Sequence, residues 1–259
     1  MRIAVVAPSN TLSRDVVPRV LALANERGLD VVFHPQCFEV AGHFAGTDQQ
    51  REDALVEAAN EPAVDAVWLA RGGYGANRIA EGAIARMGDA AREKPFLGYS
   101  DGGFLLAGLL KAGVARPVHA PMPADIARPG GEAAVARTLD WLLDPVPALR
   151  LQVAFNLVVL SSLLGTPLEP DLSGRVLMVE EVDEPLYRID RDLFHVTSSA
   201  NVRRCAGLML GRVASRANKP AWDGDEEAIA RHWCDRAGIA YLGRADIGHD
   251  AGNTVVPFA

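Results

Sequence analysis

Five short apolar segments alternate with helical stretches in the first half of the chain, and this alternation limits the fold more than any other feature. The segments are RIAVVA, LDVVFH, DAVWLA, PFLGYS and RPVHA, which begin at residues 2, 29, 65, 95 and 116. Each is nearly continuous in apolar residues, as expected of strands that are buried on both faces. The pattern predicts a parallel sheet with helices on both faces, and ligands are expected at the carboxyl ends of its strands.

The second half of the chain is less regular, and a segment with two prolines separates it from the first. This segment, DPVPALRLQVA, covers residues 144–154 and has no apolar periodicity, which is typical of a linker. We therefore predict an N-terminal α/β domain over residues 1–145, a linker over 146–155 and a smaller α/β domain over 156–259.

Local sequence signals predict where some helices begin. Thr47 and Gln50 have the spacing of a capping box, in which each residue satisfies the backbone of the other. Ser13 is a candidate cap for a helix over roughly residues 14–27, although Pro18 is unfavourable in a helix interior.

The segment GYSDG interrupts the fourth strand and is followed by an apolar helical run. Gly98, Ser100 and Gly102 match G-x-S-x-G, the pattern of a strand–turn–helix that exposes a nucleophilic serine. Ser and Asp are also good helix caps, so an ordinary turn remains an alternative. The RGGYG segment, residues 71–75, follows the preceding strand, and its glycines also suit a turn that needs positive φ.

A serine hydroxyl becomes a good nucleophile only when a base accepts its proton and a third group orients that base. His249 lies in the Gly- and Asn-rich segment DIGHDAGNTVVP, after a predicted strand. Glu180 ends the apolar strand VLMVE and shares a face with Val176 and Met178, so we expect it to be buried. A structural ion pair with an Arg such as Arg188 is one alternative explanation. A solvated strand edge is another, because residues 180–184 include four acids, although the apolar face that Glu180 extends argues against it.

Composition excludes several classes of partner. The net charge is −7 and the pI is about 5.4, so the chain gains nothing from the counterion release that drives nucleic-acid binding. No basic amphipathic stretch predicts a membrane surface, and no segment approaches the roughly 20 apolar residues of a membrane span. The apolar run after Met1 is too short for a signal-peptide core.

The cysteines and histidines are scattered and do not form a metal motif. Cys37, Cys205 and Cys234 are far apart and show no C-x-x-C spacing, so we expect reduced thiols, as in a reducing compartment. No complete ligand set stands at metal-site spacing. The sequence thus predicts a cytoplasmic protein without a metal or cofactor.

Several of these motifs, taken in order, resemble the LD-carboxypeptidase family of serine peptidases. This family includes the murein tetrapeptide carboxypeptidases and related microcin-immunity enzymes. The resemblance covers almost the whole chain, and it rests on the segments VAPSN, FAGTDQQREDAL, ARGGYGANRI, LGYSD, HAPM, LLGTPLEPD, VEEVDEPLYRIDR and GHDAGNTVVP.

The resemblance implies a catalytic triad of Ser100, Glu180 and His249. It also implies an oxyanion hole made by the backbone N–H groups of Asp101 and Gly73, with Gly72 as an alternative to Gly73. The active site is expected in the cleft between the two α/β domains, because the triad residues fall in both.

The implied reaction is hydrolysis of an amide between an L-configured centre and a terminal D-amino acid, without a cofactor. The usual substrate is the murein tetrapeptide, which loses D-alanine during cell-wall recycling. Arg71, Tyr99 and Arg188 are candidate substrate-binding residues, with the arginines suited to a terminal carboxylate. The resemblance also implies a homodimer.

Three segments depart from the family pattern. Residues 154–156 read Ala-Phe-Asn where Gly-Gly-Asn is common, and residues 119–121 read His-Ala-Pro in place of His-Gly-Pro. The sequence ends at Pro-Phe-Ala, residues 257–259, where relatives usually have Leu-Pro-hydrophobic-Gly and a further strand.

The sequence is also compatible with three other functions. The first is an immunity-type amidase that acts on a peptidyl-nucleotide, which the sequence does not separate from a carboxypeptidase. The second is an α/β-hydrolase esterase, although the HGGG-type loop of that fold is absent. The third is a binding module that retains the fold without catalysis.

Overall fold

The computed structural model describes residues 1–148, 150–217 and 221–259, which form two β-sheets covered by α-helices. The strands are β1 Arg2–Val6, β2 Asp30–Phe33, β3 Ala66–Leu69, β4 Pro95–Gly98, β5 Arg116–His119, β6 Gln152–Asn156, β7 Val176–Pro185, β8 Gly207–Arg216, β9 Tyr241–Arg244 and β10 Val256–Pro257. The helices are α1 Val16–Asn25, α2 Asp48–Asn60, α3 Ala76–Ala85, α4 Gly103–Ala112, α5 Gly131–Leu143, α6 Leu157–Leu163, α7 Leu186–Ser198 and α8 Glu226–Ala237.

The first sheet has the order β10-β5-β4-β3-β1-β2, and β1 to β5 are parallel. Successive residues of β3 face opposite layers, because Trp68 packs with residues of α1 and α5 whereas Leu69 packs with residues of α2, α3 and α4. Both faces of the sheet are therefore covered by helices. The α/β fold predicted for this half of the chain is confirmed.

The strand order reverses direction between β1 and β3, because the chain passes from β1 outward to β2 and then returns to the other side of β1. A crevice forms at such a point, outside the carboxyl ends of the strands. The segment after β1 and the RGGYG segment after β3 meet there: Asn10 Oδ1 accepts a hydrogen bond from the Tyr74 amide at 3.1 Å.

The second sheet has the order β6-β7-β8-β9, with all neighbours parallel. Its first strand, Gln152–Asn156, lies largely within the predicted linker of residues 146–155. Apolar residues Val153 and Phe155 are buried in this strand, so the irregular stretch is shorter than the prolines suggested. The smaller α/β unit predicted for the second half is present.

The end of the chain returns to the first sheet. Strand β10 runs antiparallel to β5, with Val256 opposite His119 and Pro257 opposite Val118. Phe258 packs against Phe155 of β6 with ring centroids 5.3 Å apart. The last residues thus connect both sheets. A helix with the length and apolar character needed to cross a membrane does not occur in the described ranges.

The predicted capping box is present at the start of α2. The Gln50 amide donates to Thr47 Oγ1 at 3.2 Å, and the Thr47 amide donates to Gln50 Oε1 at 2.8 Å. Helix α1 begins at Val16 instead of near residue 14. Pro18 therefore lies in the first turn, where its missing N–H would have had no intrahelical acceptor.

Candidate active site

Ser100 occupies a strained turn between β4 and α4. Its φ of 57° lies in the left-handed region, which non-glycine residues seldom adopt. A 3₁₀ turn spans Ser100–Gly102, and α4 begins at the next residue. Such a conformation costs on the order of 1–3 kcal/mol and persists only where the surroundings enforce it. The strand–turn–helix predicted at this position is observed.

The glycines on either side of Ser100 are required because the turn packs closely against β3. A Cβ at Gly98 would lie 2.7 Å from Leu69 Cδ1, and a Cβ at Gly102 would lie 2.6 Å from the same atom. Leu69 is fully buried and cannot move aside easily. The glycines of G-x-S-x-G thus let the serine turn sit directly on the neighbouring strand.

Ser100, His249 and Glu180 form a continuous chain of polar contacts. His249 Nε2 lies 3.0 Å from Ser100 Oγ, across 149 positions of sequence. His249 Nδ1 lies 2.6 Å from Glu180 Oε2. Ser100 follows β4 of the first sheet, Glu180 belongs to β7 of the second, and His249 lies in the loop between β9 and β10.

The carboxylate determines which ring nitrogen carries the proton. A carboxylate accepts hydrogen bonds, so a carboxylate form of Glu180 requires His249 Nδ1–H to be the donor in this contact. In the neutral ring this leaves the lone pair of Nε2 directed at the Ser100 hydroxyl. The arrangement can therefore take a proton from Ser100 and hold the resulting imidazolium beside a carboxylate.

Glu180 is fully buried at the point where β7 has an irregular register with β8. Gly211 of β8 leaves space for it, since a Cβ there would lie 2.9 Å from Glu180 Cβ. The ion pair with Arg188 that the sequence left open is wrong. Arg188 pairs with Glu184 at 2.9 Å, and both side chains are partly exposed.

The RGGYG loop lies directly against Ser100. A Cβ at Gly72 would lie 2.8 Å from Ser100 Oγ and 3.6 Å from the Asp101 amide nitrogen. Gly73 has a φ of 124° and packs on the Asn10 side chain. Within the described ranges, the amides of Gly72 and Gly73 donate to no acceptor.

The Asp101 side chain joins the serine turn to this glycine loop. Its Oδ2 accepts a hydrogen bond from the Ala76 amide at 2.8 Å and another from the Ser9 hydroxyl. The carboxyl is 3% exposed, and burial raises its pKa. The sequence analysis predicted a role only for the backbone N–H group of Asp101, and it missed this role of the side chain. The start of a helix at Ala76 could have indicated it, because carboxylates are favoured near the N-terminus of a helix.

A cavity of about 350 Å³ opens beside the Ser100 hydroxyl and is lined in part by Arg71, Gly72, Gly73, Tyr99, Arg128 and His249. Its size is within the usual range for small-molecule sites. Arg71 donates to Thr11 O at 3.0 Å and does not pair with an acid in the described part of the chain. Arg188 lies outside this cavity, in a different surface depression.

Tyr99 is almost completely buried, and its ring centroid lies 4.8 Å from that of His249. Its hydroxyl donates to Asp125 Oδ1 at 2.9 Å, and burial raises the pKa of this phenol. Arg128 Nη1 donates to the same hydroxyl at 3.0 Å and to His249 O at 2.6 Å. The sequence analysis missed these contacts of Arg128, because the segment ARPGG around it matches no functional motif.

Over residues 1–148, 150–217 and 221–259, no group of three or more His, Cys, Asp or Glu side chains is arranged to hold a metal ion. The three cysteines are free thiols. Burial raises the pKa of both Cys37 and Cys234 to about 12, so these two thiols are protonated at neutral pH.

Two family models match the chain in succession. The LD-carboxypeptidase N-terminal domain matches residues 3–120, and the LD-carboxypeptidase C-terminal domain matches residues 153–259. A murein tetrapeptide carboxypeptidase of Pseudomonas aeruginosa is 27% identical to the chain over 234 residues, which cover 81% of the chain and 76% of that relative.

Solved structures agree with these matches. The crystal structure of muramoyltetrapeptide carboxypeptidase from Oxalobacter formigenes superposes with a TM-score of 0.86 at 26% identity, covering 99% of this chain and 92% of that one. The structure of MccF in complex with glutamyl sulfamoyl guanosine gives a TM-score of 0.83 at 14% identity, covering 100% of this chain and 91% of that one. At that identity the likeness concerns the fold alone. The chain therefore belongs to the LD-carboxypeptidase family, whose members are hydrolases that act on peptides.

Proposed function

We propose that the protein is a serine carboxypeptidase that hydrolyses the amide between an L-configured centre and a terminal D-amino acid. The observation that carries this proposal is the pair of contacts made by His249, at 3.0 Å to Ser100 Oγ and at 2.6 Å to Glu180 Oε2. These are the contacts that activate a serine for acyl transfer. The murein tetrapeptide is the proposed substrate, because relatives named for that activity match most of the chain.

In the first half of the reaction, Ser100 Oγ attacks the scissile carbonyl carbon while His249 Nε2 accepts the hydroxyl proton. The carbonyl oxygen becomes an oxyanion, and we assign its stabilisation to the amides of Gly73 and Asp101, with Gly72 as the alternative to Gly73. When the carbon–nitrogen bond breaks, His249 gives its proton to the departing amine of D-alanine. An ester between Ser100 and the shortened peptide remains.

In the second half, a water molecule attacks the ester and gives its proton to His249. The tetrahedral intermediate collapses, the proton returns to Ser100 Oγ, and the shortened peptide leaves with a new carboxylate. Glu180 keeps Nδ1 protonated in both halves. Apart from the substrate and this water molecule, these steps use only side chains and amides of this chain.

Arg71 is the cation that we propose for the terminal carboxylate of the substrate. It lines the cavity that contains Ser100, whereas Arg188 lies elsewhere and is paired with Glu184. Tyr99 also lines the cavity, but its hydroxyl is already bound to Asp125 and Arg128. We therefore assign Tyr99 to supporting the His249 ring.

A role in cell-wall recycling and a cytoplasmic location belong to the same proposal. The free, buried thiols of Cys37 and Cys234 suit a reducing compartment. The active site is proposed to lie between the two α/β units. The homodimer implied by the family stays a prediction, which light scattering at several protein concentrations would test.

The substrate proposal is tested by comparing turnover of three compounds: murein tetrapeptide, an aminoacyl sulfamoyl adenosine and a simple aryl ester. We expect kcat/KM to be highest for the tetrapeptide, with D-alanine as the amine product. Preference for the nucleotide would assign the protein to the immunity-type amidases. Preference for the ester would reject the carboxypeptidase proposal.

A further inference from the structure

Arginines from the first half of the chain hold the loop that carries His249. Arg128 Nη1 donates to His249 O at 2.6 Å. Arg137 Nη1, from α5, donates to Asn253 O at 2.6 Å and to Ala251 O at 3.2 Å. The loop between β9 and β10 is thus bound at His249 and again a few residues further on.

The two arginines have different surroundings. Arg128 lines the cavity beside Ser100, whereas Arg137 lies in a separate surface depression. Arg128 Nη1 also donates to the Tyr99 hydroxyl and lies 3.3 Å from Asp125 Oδ1. Tyr99 immediately precedes Ser100, so Arg128 connects the side chain next to the serine with the backbone carbonyl of the histidine.

We propose that Arg128 is a positioning residue, which holds the His249 imidazole against the Ser100 hydroxyl by binding the His249 carbonyl and the Tyr99 phenol together. This inference rests on the proposed function, because it concerns the same serine and histidine. Arg128 is not a member of the proposed triad, and no sequence pattern indicated it.

The His249 loop has other contacts as well, since the Gly248 amide donates to Asn253 Oδ1 at 3.2 Å and Arg212 Nε donates to Asp250 Oδ2 at 2.6 Å. Arg128 differs from them because it binds the His249 carbonyl itself. Gly248 and Gly252 flank this part of the loop, and glycine allows more backbone conformations than any other residue. Glu180 holds the ring at Nδ1 but does not bind the loop backbone. A displacement of about 1 Å between reacting groups can lower a rate by roughly 10²-fold. Loss of the Arg128 contact is therefore expected to slow the proton transfer from Ser100.

Arg128 could instead bind the carboxylate of the substrate, and the experiment has to distinguish this role from positioning of His249. Its Nε and Nη2 make no hydrogen bond to any described residue, so these nitrogens remain able to bind a substrate carboxylate. A carboxylate-binding role predicts a higher KM for the peptide. It predicts no effect on a reaction between Ser100 and a neutral reagent, because such a reagent presents no carboxylate.

The experiment compares Arg128→Met with the matched control Arg137→Met in the full chain. The main readout is the second-order rate of Ser100 labelling by a neutral alkyl fluorophosphonate, a reaction that needs His249 but no carboxylate. The kcat and KM for D-alanine release and the melting temperature are measured alongside. Arg128→Lys is the conservative variant, since an ammonium can still donate to the His249 carbonyl.

We expect Arg128→Met to lower both the labelling rate and kcat by about 10- to 100-fold, with KM nearly unchanged. Arg128→Lys should recover part of the loss, and Arg137→Met should label at nearly the wild-type rate. A raised KM with unchanged labelling in Arg128→Met would overturn the inference. Equal losses in the two methionine variants would also overturn it, since the loop as a whole would then be responsible.

The labelling readout separates this inference from the proposed substrate. If the wild-type protein is labelled at Ser100 but releases no D-alanine from the tetrapeptide, the substrate proposal fails. The ratio of labelling rates between Arg128→Met and Arg137→Met still decides the role of Arg128 in that case.

Discussion

Glu180 Oε2 lies 2.6 Å from His249 Nδ1, and the two side chains are 0% and 7% exposed. Water therefore does not screen this contact as it screens ion pairs on the surface. In the proposed mechanism His249 accepts the Ser100 proton, and the new positive charge then forms beside a buried carboxylate. The contact thus favours the charged intermediate as well as the correct tautomer of the neutral ring.

Replacing Glu180 with Gln is expected to lower kcat/KM by about 10⁴-fold, the loss typical of a triad acid replaced by its amide. The amide group can donate to Nδ1 and stabilise the wrong tautomer, in which Nε2 carries the hydrogen. Steady-state kinetics with a melting curve measure the effect. Glu184→Gln is the matched control in the same segment and should keep wild-type activity. A Glu180→Gln protein that retains most of its rate would show that this carboxylate is only structural.

Replacing Gly72 with Ala is expected to lower kcat by at least about 10²-fold, because the added methyl would lie 2.8 Å from Ser100 Oγ. The methyl must displace either the Ser100 side chain or the loop that faces it. Gly88→Ala is the control, since its nearest neighbour would be Asn60 Oδ1 at 3.6 Å. Normal kcat in Gly72→Ala would mean that the loop moves away from Ser100 during catalysis.

Glu181 gives a prediction about the pH dependence of stability. Its carboxyl is buried and accepts hydrogen bonds from Asn156 Nδ2 at 2.8 Å and from the Val158 amide at 2.9 Å. Burial raises its pKa from an ordinary value of 4.5 to about 7. The folded protein therefore holds this proton more tightly than the unfolded chain does. The stabilisation by the protonated carboxyl is complete below about pH 4.5 and is lost as the pH rises to about 7.

The measurement is the free energy of unfolding of wild type and Glu181→Gln between pH 4.5 and 8. We expect the stability of wild type relative to the variant to fall with rising pH by on the order of 3 kcal/mol, and then to level off above pH 7. Glu132→Gln, at an exposed ion pair, should show little change with pH. A difference between wild type and Glu181→Gln that is constant over this range would contradict the raised pKa.

Replacing Arg71 with Met is expected to raise KM for the tetrapeptide by about 10- to 100-fold with a smaller effect on kcat, because one charged hydrogen-bonded contact contributes roughly 1.5–3 kcal/mol. A tetrapeptide that ends in D-alaninamide should be poor for wild type and no worse for the variant. Arg188→Met distinguishes the two cations that the sequence suggested, and we expect its KM to be that of wild type. The reverse pattern would assign the carboxylate to Arg188.

Much of the fold could be predicted because its signals are local. The apolar strands of the first sheet and the capping box at Thr47 each depend on a few neighbouring residues. The turn at Ser100 was suggested by the spacing of its glycines. The alternation of apolar residues along its strand also predicted that Glu180 is buried. Only the structure, however, excludes an ion pair between Glu180 and Arg188.

Contacts between distant segments could not be predicted from such signals. Strand β10 joins β5 through two residues that have no strand periodicity of their own. Arg128 binds a backbone carbonyl 121 positions away. Nothing in the sequence distinguishes this arginine from any other arginine in a loop. The Asp101 side chain meets the start of α3 only because β3 and β4 are neighbours.

Release of D-alanine from a murein tetrapeptide is the most direct test of the proposal that Ser100 attacks the terminal amide of this substrate. The measurement is mass spectrometry of a tetrapeptide digest by wild type and by Ser100→Ala, with melting curves to show that both are folded. We expect loss of one alanine with wild type and a rate lower by about 10⁴–10⁶-fold with Ser100→Ala. Loss of a triad nucleophile leaves a far lower rate than about a tenth of wild type. If folded Ser100→Ala keeps more than about a tenth of the wild-type rate, Ser100 is therefore not the nucleophile.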